Sequence, residues 1–322
     1  MKRFMSVPIL LLLLLASCSS ERAVDKEETD TIPAQTEVSF SHNEQNFKII
    51  PFYEEVLEYT GYVKDNPSKS NPGAYVEKVL EPIKKKSTMS YLTLDYPFSS
   101  STDVEGFEDK TIKLLQNEKK INELIKDALI KSAEILPGGD TNIYVMPLRP
   151  EDQFVIENMQ GVAGVTYNKN AIFIQIDTSF TEEMLQYLVA HEYHHTINMQ
   201  TNGDRGFYTV LDKMISEGKA DSFARIVYPD INAPWTEPLL IESEKEVFEE
   251  LKENADSMSM KIYMDFFNGN SAKGIPLWSN YKIGYKITQS YLEMNPNVPI
   301  VDWTRLLSKD MLQGSEYNQL LK

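Results

Sequence analysis

The run HEYHH at residues 191–195 holds three of the chain's four histidines and lies in a stretch, 182–199, whose apolar spacing predicts a helix. On a helix His191 and His195 are one turn apart, so both imidazoles project from the same face. That spacing suits two ligands of a tetrahedral Zn2+, and Glu192 can reach a water bound to the same metal. The run therefore makes this predicted helix a candidate metal-binding helix.

A second predicted helix, 209–227, offers the third ligand that such a site needs. Glu217 would complete a His, His, Glu set and leave the fourth position for water. Asp221 lies four residues further along the same face, where its carboxylate could accept a hydrogen bond from a ligand imidazole. Two other interpretations stay open. Both acids could be solvated helix-surface residues, and His194 could replace His195 as a ligand.

Helical and strand-like periodicities together predict an α+β fold, mainly helical, with a small mixed or antiparallel sheet packed on the metal-binding helix. Residues 46–140 are expected to form a mainly helical N-terminal part, and residues 141–322 the metal-binding part with a helical C-terminal region. Ser179 and Glu182 have capping-box spacing at the start of the metal-binding helix. Predicted strands are 142–146, 162–167 and 171–177, and further predicted helices are 103–136, 239–258, 260–267, 278–294 and 303–312.

The two helical motifs resemble those of a known family. HEYHH followed by Glu217-x-x-x-Asp221 is similar to the gluzincin, or thermolysin-like, metalloproteases. With a later Tyr281-x-x-Gly284-Tyr285, the pattern resembles a narrower bacterial group described as predicted zinc-dependent proteases, whose domain is still of unknown function. The resemblance covers about residues 140–295, and the two helical motifs are its specific part.

The resemblance implies a zincin-like domain over 141–322 that binds one Zn2+ per chain. It assigns roles to five side chains: His191, His195 and Glu217 as zinc ligands, Glu192 as general base, and Asp221 as partner of a ligand histidine. In the thermolysin-like enzymes a separate His or Tyr stabilises the transition state, and Tyr281 or Tyr285 could do so here, although a Tyr at helical spacing is more often a core residue. The resemblance also makes 161–167 a candidate edge strand for an extended substrate.

The N-terminus has the features of an export and lipidation signal. After a short basic start, the apolar run 7–15 is shorter than the about 20 residues that a membrane span needs. Residues 15–18 read Leu-Ala-Ser-Cys and resemble the bacterial lipobox, in which cleavage precedes an acylated cysteine. We therefore expect a lipoprotein signal peptide at 1–17, a lipidated Cys18, and a flexible acidic tether over 18–45. A plain secretory signal with an incidental cysteine is the alternative.

Composition narrows the range of partners. The net charge is −16, from 48 acidic against 32 basic residues, which argues against nucleic-acid binding because phosphate contacts need clustered Lys and Arg. The same charge disfavours adsorption to anionic lipid headgroups, so the expected membrane contact is the lipid anchor at Cys18. A chain with one cysteine forms no intramolecular disulfide.

The sequence thus predicts a membrane-anchored zinc metallopeptidase outside the cytoplasm, with the choice between inner and outer membrane left open. Glu192 would assist the attack of zinc-bound water on a bond of a peptide or protein substrate. Two alternatives remain: a zinc-binding surface lipoprotein that does not cleave its partner, and a binding or chaperone-like lipoprotein in which the motif is accidental. The substrate and the oligomeric state are not indicated.

Overall fold

The computed structural model describes residues 32–203 and 208–319, which contain one five-stranded mixed sheet. Its strands are β1 (Val38–His42), β2 (Gln45–Pro51), β3 (Thr141–Pro147), β4 (Val162–Asn168) and β5 (Ala171–Ile176). They lie in the order β1-β2-β3-β5-β4, with parallel pairs in the middle and an antiparallel pair at each end. Strand β4 is therefore an edge strand of this sheet.

Helices make up most of the other described residues. Before β3 they are α1 (Tyr53–Asp65), α2 (Asn71–Tyr75), α3 (Glu81–Ser87), α4 (Val104–Gln116) and α5 (Glu118–Ile135), with the π-helical turn Val76–Leu80 joining α2 to α3. A short α6 (Gln153–Asn158) precedes β4. After β5 come α7 (Glu182–Asn202), α8 (Val210–Val227), α9 (Ile241–Asn254), α10 (Met260–Asn268), α11 (Ser279–Met294), α12 (Ile300–Arg305) and α13 (Ser308–Gln313).

The sheet forms the middle layer, with one apolar cluster on each of its faces. Successive side chains of a strand point to opposite faces, so neighbouring residues belong to different clusters. Ile143 of β3 and Ile174 of β5 belong to an apolar cluster with residues of α5, α7, α8 and α11. Their neighbours Tyr144 and Phe173 point the other way, stack with ring centroids 4.6 Å apart, and join a second cluster with α1 to α3. Both faces of the central strands are therefore covered by helices, which explains why these strands read as nearly continuous apolar runs.

Helices α8 and α11 approach each other more closely than two ordinary side chains would allow. A Cβ atom built on Gly218 of α8 would stand 2.0 Å from the carbonyl oxygen of Gly284 in α11. A Cβ atom on Gly284 would stand 1.9 Å from the carbonyl oxygen of Met214. Two glycines thus let these helices meet backbone to backbone. Glu217 precedes Gly218 in α8, and Tyr281 lies three residues before Gly284 in α11.

The α+β prediction is confirmed, and the three predicted strands correspond to β3, β4 and β5. The prediction of a flexible tether up to residue 45 is wrong at its C-terminal end, because Val38–His42 pair with β2. The N-terminal part, predicted to be mainly helical, contains α1 to α5 and also contributes β2 to the sheet. The antiparallel hairpin turns at Asn43 and Glu44, whose φ angles are 48° and 67°. Strand β1 is stabilised by its pairing with β2, and the composition of β1 alone does not predict that pairing.

Several helix boundaries also differ from the predictions, and the predicted helix 103–136 is two helices, α4 and α5, that meet at Asn117. Thr181, not Ser179, is the N-cap of α7 and accepts a hydrogen bond from the Met184 N–H, while the Ser179 hydroxyl donates to Asp177 instead. The predicted helix 303–312 is two helices, α12 and α13, because the backbone is extended at Leu306 and Leu307. None of these changes moves the motif residues out of their helices.

The predicted signal peptide, Cys18 and the first part of the tether lie outside the described residues. Within 32–203 and 208–319, no helix has the length and apolar character needed to cross a membrane.

Candidate metal centre

Helix α7 presents the two motif histidines side by side. His191 and His195 are four residues apart, and their Nε2 atoms lie 3.1 Å from each other. His191 is buried, and the His195 side chain is only 11% exposed. The helix is positioned by its N-cap and by an almost continuous buried face that packs under the sheet. The imidazoles are thus held close together inside the protein.

Helix α8 brings a carboxylate to the same point. It begins with a capping box between Thr209 and Asp212, and its buried face packs against α7. Oε2 of Glu217 lies 3.3 Å from Nε2 of His191 and 3.3 Å from Nε2 of His195. The three donor atoms form a nearly equilateral triangle. Two ligand atoms bound to tetrahedral Zn2+ at about 2.0 Å are about 3.3 Å apart, so the triangle fits this ion.

The donor set suits a cation in chemistry as well as in shape. Two imidazoles and one carboxylate are typical ligands of catalytic zinc. Burial raises the pKa of Glu217, but His195 and His191 beside it have the larger effect and hold that pKa well below its usual range. The carboxylate is therefore ionised over the whole physiological range. In the described part of the chain, this is the group of metal-ligating side chains close enough together to hold one ion.

A buried carboxylate behind the triangle orients His191. Oδ1 of Asp221 lies 3.0 Å from Nδ1 of His191, so the Nδ1 proton is donated to Asp221 and the Nε2 lone pair points into the triangle. Tyr187 and Trp235 donate to the same oxygen, at 3.1 Å and 3.0 Å. The structure thus places Asp221 where the sequence predicts it, and the acid is fully buried rather than solvated.

Glu192 lies beside the triangle without belonging to it. Its side chain is turned towards β4, where its Oε2 accepts a hydrogen bond of 2.7 Å from the Thr166 hydroxyl. Gly164 leaves room for it, since a Cβ atom there would stand 2.6 Å from Cγ of Glu192. The side chain lies between the edge strand and the metal-binding helix, which is the place that a general base acting on a β4-bound substrate would occupy.

The alternative ligand His194 is not part of the cluster. Its ring is fully buried and stacks on Trp303 with ring centroids 5.4 Å apart, and its Nε2 lies 3.3 Å from the Thr304 hydroxyl. Burial lowers the pKa of His194 well below the usual range, so this imidazole is neutral. It packs α7 against α12, on a different face of the helix from His191 and His195.

Of the two tyrosines left open by the sequence, the structure brings Tyr281 to the site. Its ring centroid lies 6.3 Å from that of His191. Burial, with Glu217 adding to it, raises the pKa of Tyr281 well above the usual range, so the hydroxyl keeps its proton. Tyr285 lies further along α11, where burial raises its pKa and the charges acting on it are Arg225 and Asp221.

One further tyrosine, Tyr263, is influenced by the Glu217 charge and was not singled out from the sequence. Tyr263 of α10 accepts a hydrogen bond of 2.9 Å from the Asn280 side chain, and burial together with the Glu217 charge raises its pKa. The only available signal was its place in an amphipathic helix, which equally well describes a core residue. Its distance along the chain from both motifs gave no reason to single it out.

The fold and this cluster define a class: an α+β protein in which two histidines and a glutamate from neighbouring helices could hold one metal ion. Comparison with family models then gives the particular family. The chain belongs to the family described as "Predicted Zn-dependent protease (DUF2268)", whose model matches residues 121–313, more than half of the chain. The suspected resemblance is thereby confirmed. A search of curated proteins found no significant match.

Proposed function

We propose that this protein is a zinc-dependent peptidase. The observation that carries the proposal is the triangle of donor atoms with sides of 3.1, 3.3 and 3.3 Å, with Glu192 lying beside it and an edge strand next to Glu192. The family description supports zinc dependence and proteolysis as the general activity. A purely structural metal centre would not need an acid such as Glu192 between the donor triangle and the edge strand β4.

In the proposed mechanism His191, His195 and Glu217 hold the zinc ion. When bound, zinc supplies a Lewis acid that polarises a carbonyl group and makes water a nucleophile near neutral pH. Glu192 accepts a proton from the attacking water and passes it to the leaving amine. Asp221 keeps His191 in the tautomer that offers Nε2, and the Tyr281 hydroxyl donates a hydrogen bond to the oxygen on which negative charge develops.

Strand β4 is the proposed support for the substrate. One edge of β4 pairs with β5, and its other edge has no strand beside it among the described residues. Residues 164–168 on this strand are half-buried, and the main-chain groups at its outer edge are the ones that we propose pair with an extended peptide. Because Glu192 contacts Gly164 and Thr166, a peptide on β4 would pass directly by the general base.

The proposal is tested by hydrolysis of a mixed peptide library with zinc-loaded full-length protein, purified in detergent and followed by mass spectrometry. We expect cleavage that disappears when a chelator removes the metal and returns when Zn2+ is restored. A metal-loaded, folded protein that cleaves no peptide would contradict the proposal and favour the zinc-binding lipoprotein that does not cleave its partner.

We also propose that the protein is attached to the bacterial membrane, outside the cytoplasm, through acyl chains on Cys18. The support is the short apolar run and the Leu-Ala-Ser-Cys sequence at 15–18. The Cys18→Ser variant is expected to move from the membrane to the soluble fraction and to lose incorporation of labelled palmitate. Equal palmitate labelling of wild type and variant would contradict the anchor.

A further inference from the structure

Strand β4 is shaped around the carboxylate of Glu192 at two positions. Gly164 and Thr166 are two residues apart, so both face the same side of the sheet, towards α7. A Cβ atom on Gly164 would stand 2.7 Å from Oε1 of Glu192 and 2.9 Å from its Cδ. The other oxygen, Oε2, lies 2.7 Å from the Thr166 hydroxyl. One carboxylate oxygen is therefore accommodated by a missing side chain and the other is held by a hydroxyl group.

The hydroxyl of Thr166 lies within hydrogen-bonding distance of two acceptor atoms of Glu192. It lies 2.7 Å from Oε2 and 3.0 Å from the main-chain carbonyl oxygen of Glu192. A hydroxyl donates one proton, and hydrogen bonds to an ionised acceptor are shorter and stronger than those to a neutral one. The shorter contact to Oε2 is thus the expected bond, and it fixes the orientation of the carboxylate.

We infer that Thr166 is a positioning residue that holds the general base Glu192 in its productive orientation from the strand on which the substrate lies. This inference rests on the proposed function. Glu192 is only 5% exposed, so little solvent is available to replace the hydroxyl as a hydrogen-bond donor to its carboxylate. Because Thr166 lies on β4 itself, the strand that aligns the peptide also aligns the base, and both are placed relative to each other by one rigid element.

A purely structural role for Thr166 makes different predictions. If the hydroxyl only satisfied a polar group at the helix–sheet contact, its loss would lower the stability and would change kcat little. If it positions the base, loss of the hydroxyl lowers kcat and leaves KM and zinc content unchanged. A peptide on β4 would pair with the main chain, which the substitution leaves in place, and Thr166 does not belong to the donor triangle.

The test compares Thr166→Val, which has the same shape without the hydroxyl, with Thr166→Ser, which keeps it. In zinc-loaded full-length protein we expect Thr166→Val to lower kcat about tenfold to hundredfold, with KM within about twofold of wild type. Thr166→Ser should retain kcat within about threefold. Crystal structures of the zinc-loaded proteins should show the Glu192 carboxylate rotated in Thr166→Val and in its original orientation in Thr166→Ser.

The matched control is Thr111→Val, which removes the hydroxyl of a buried threonine in α4 that donates to the main-chain oxygen of Phe107. Its kcat should equal that of wild type. The inference is overturned if wild type is active and Thr166→Val has the same kcat, if Thr166→Ser is as impaired as Thr166→Val, or if the Glu192 carboxylate keeps its orientation in Thr166→Val. If wild type itself cleaves no peptide, the proposed function is contradicted, and this inference is contradicted as well because it rests on that function.

Discussion

Glu192→Gln is expected to lower kcat by about 10²- to 10⁴-fold while the protein still binds one zinc ion per chain. Gln has nearly the same size and shape as Glu, but its side-chain amide does not accept a proton at neutral pH. Glu192 is not one of the three donor atoms of the triangle, so metal binding should be unaffected. The measurement pairs peptide hydrolysis with metal content determined by mass spectrometry on the same sample.

The matched control for this variant is Glu183→Gln, an exposed acid in the first turn of the same helix. It changes the net charge equally and should leave both kcat and zinc content unchanged. Full activity of Glu192→Gln would exclude Glu192 as the general base.

Tyr281→Phe in the same assay should lower kcat by about 10²-fold, the usual cost of removing one donor to a developing oxyanion.

The second large effect is expected for His191→Ala, which should reduce zinc affinity by at least about 10²-fold and abolish turnover. Removal of a partner behind a ligand commonly costs 10- to 100-fold, and removal of a ligand should cost at least as much. Only His195 and Glu217 would remain at the centre, and Asp221 would lose the imidazole that it orients. Metal content after dialysis against a weak chelator measures the loss.

His194→Ala provides the control, because it removes a neighbouring buried imidazole from the same helix. It should keep stoichiometric zinc and lower only the free energy of unfolding, by about 1–3 kcal/mol, through lost packing on Trp303. If His194→Ala lost zinc while staying folded and His191→Ala retained it, the ligand assignment would have to be reversed.

The sequence could predict the centre of the site because its information is local. The four-residue spacing of His191 and His195, and of Glu217 and Asp221, decides which side chains share a helix face whatever the rest of the chain does. The pairing of α7 with α8 was inferred from the third ligand that such a site needs and from the resemblance, not from the spacing within either motif. Helix periodicity likewise sufficed for the main helices, since each carries a continuous apolar stripe.

The sequence could not separate Tyr281 from Tyr285 or find Thr166, because both questions depend on contacts between distant segments. The two tyrosines share one face of α11, and only the position of that helix against α8 decides which of them lies near His191. Thr166 is an ordinary strand residue until β4 packs on α7. The strand β1 was missed for the same reason, because its pairing with β2 is what orders it.

The parallel pairing of β2 with β3 has a practical consequence for protein production. The family match begins at residue 121, inside α5, and so omits β1, β2 and α1 to α4. A protein trimmed to 121–313 would expose the backbone edge of β3 that pairs with β2, together with Tyr144 and Phe173 on the uncovered face. Such an edge is prone to aggregation. The segment shared with the family is therefore smaller than the unit that folds, and expression trials should retain the chain from at least residue 32.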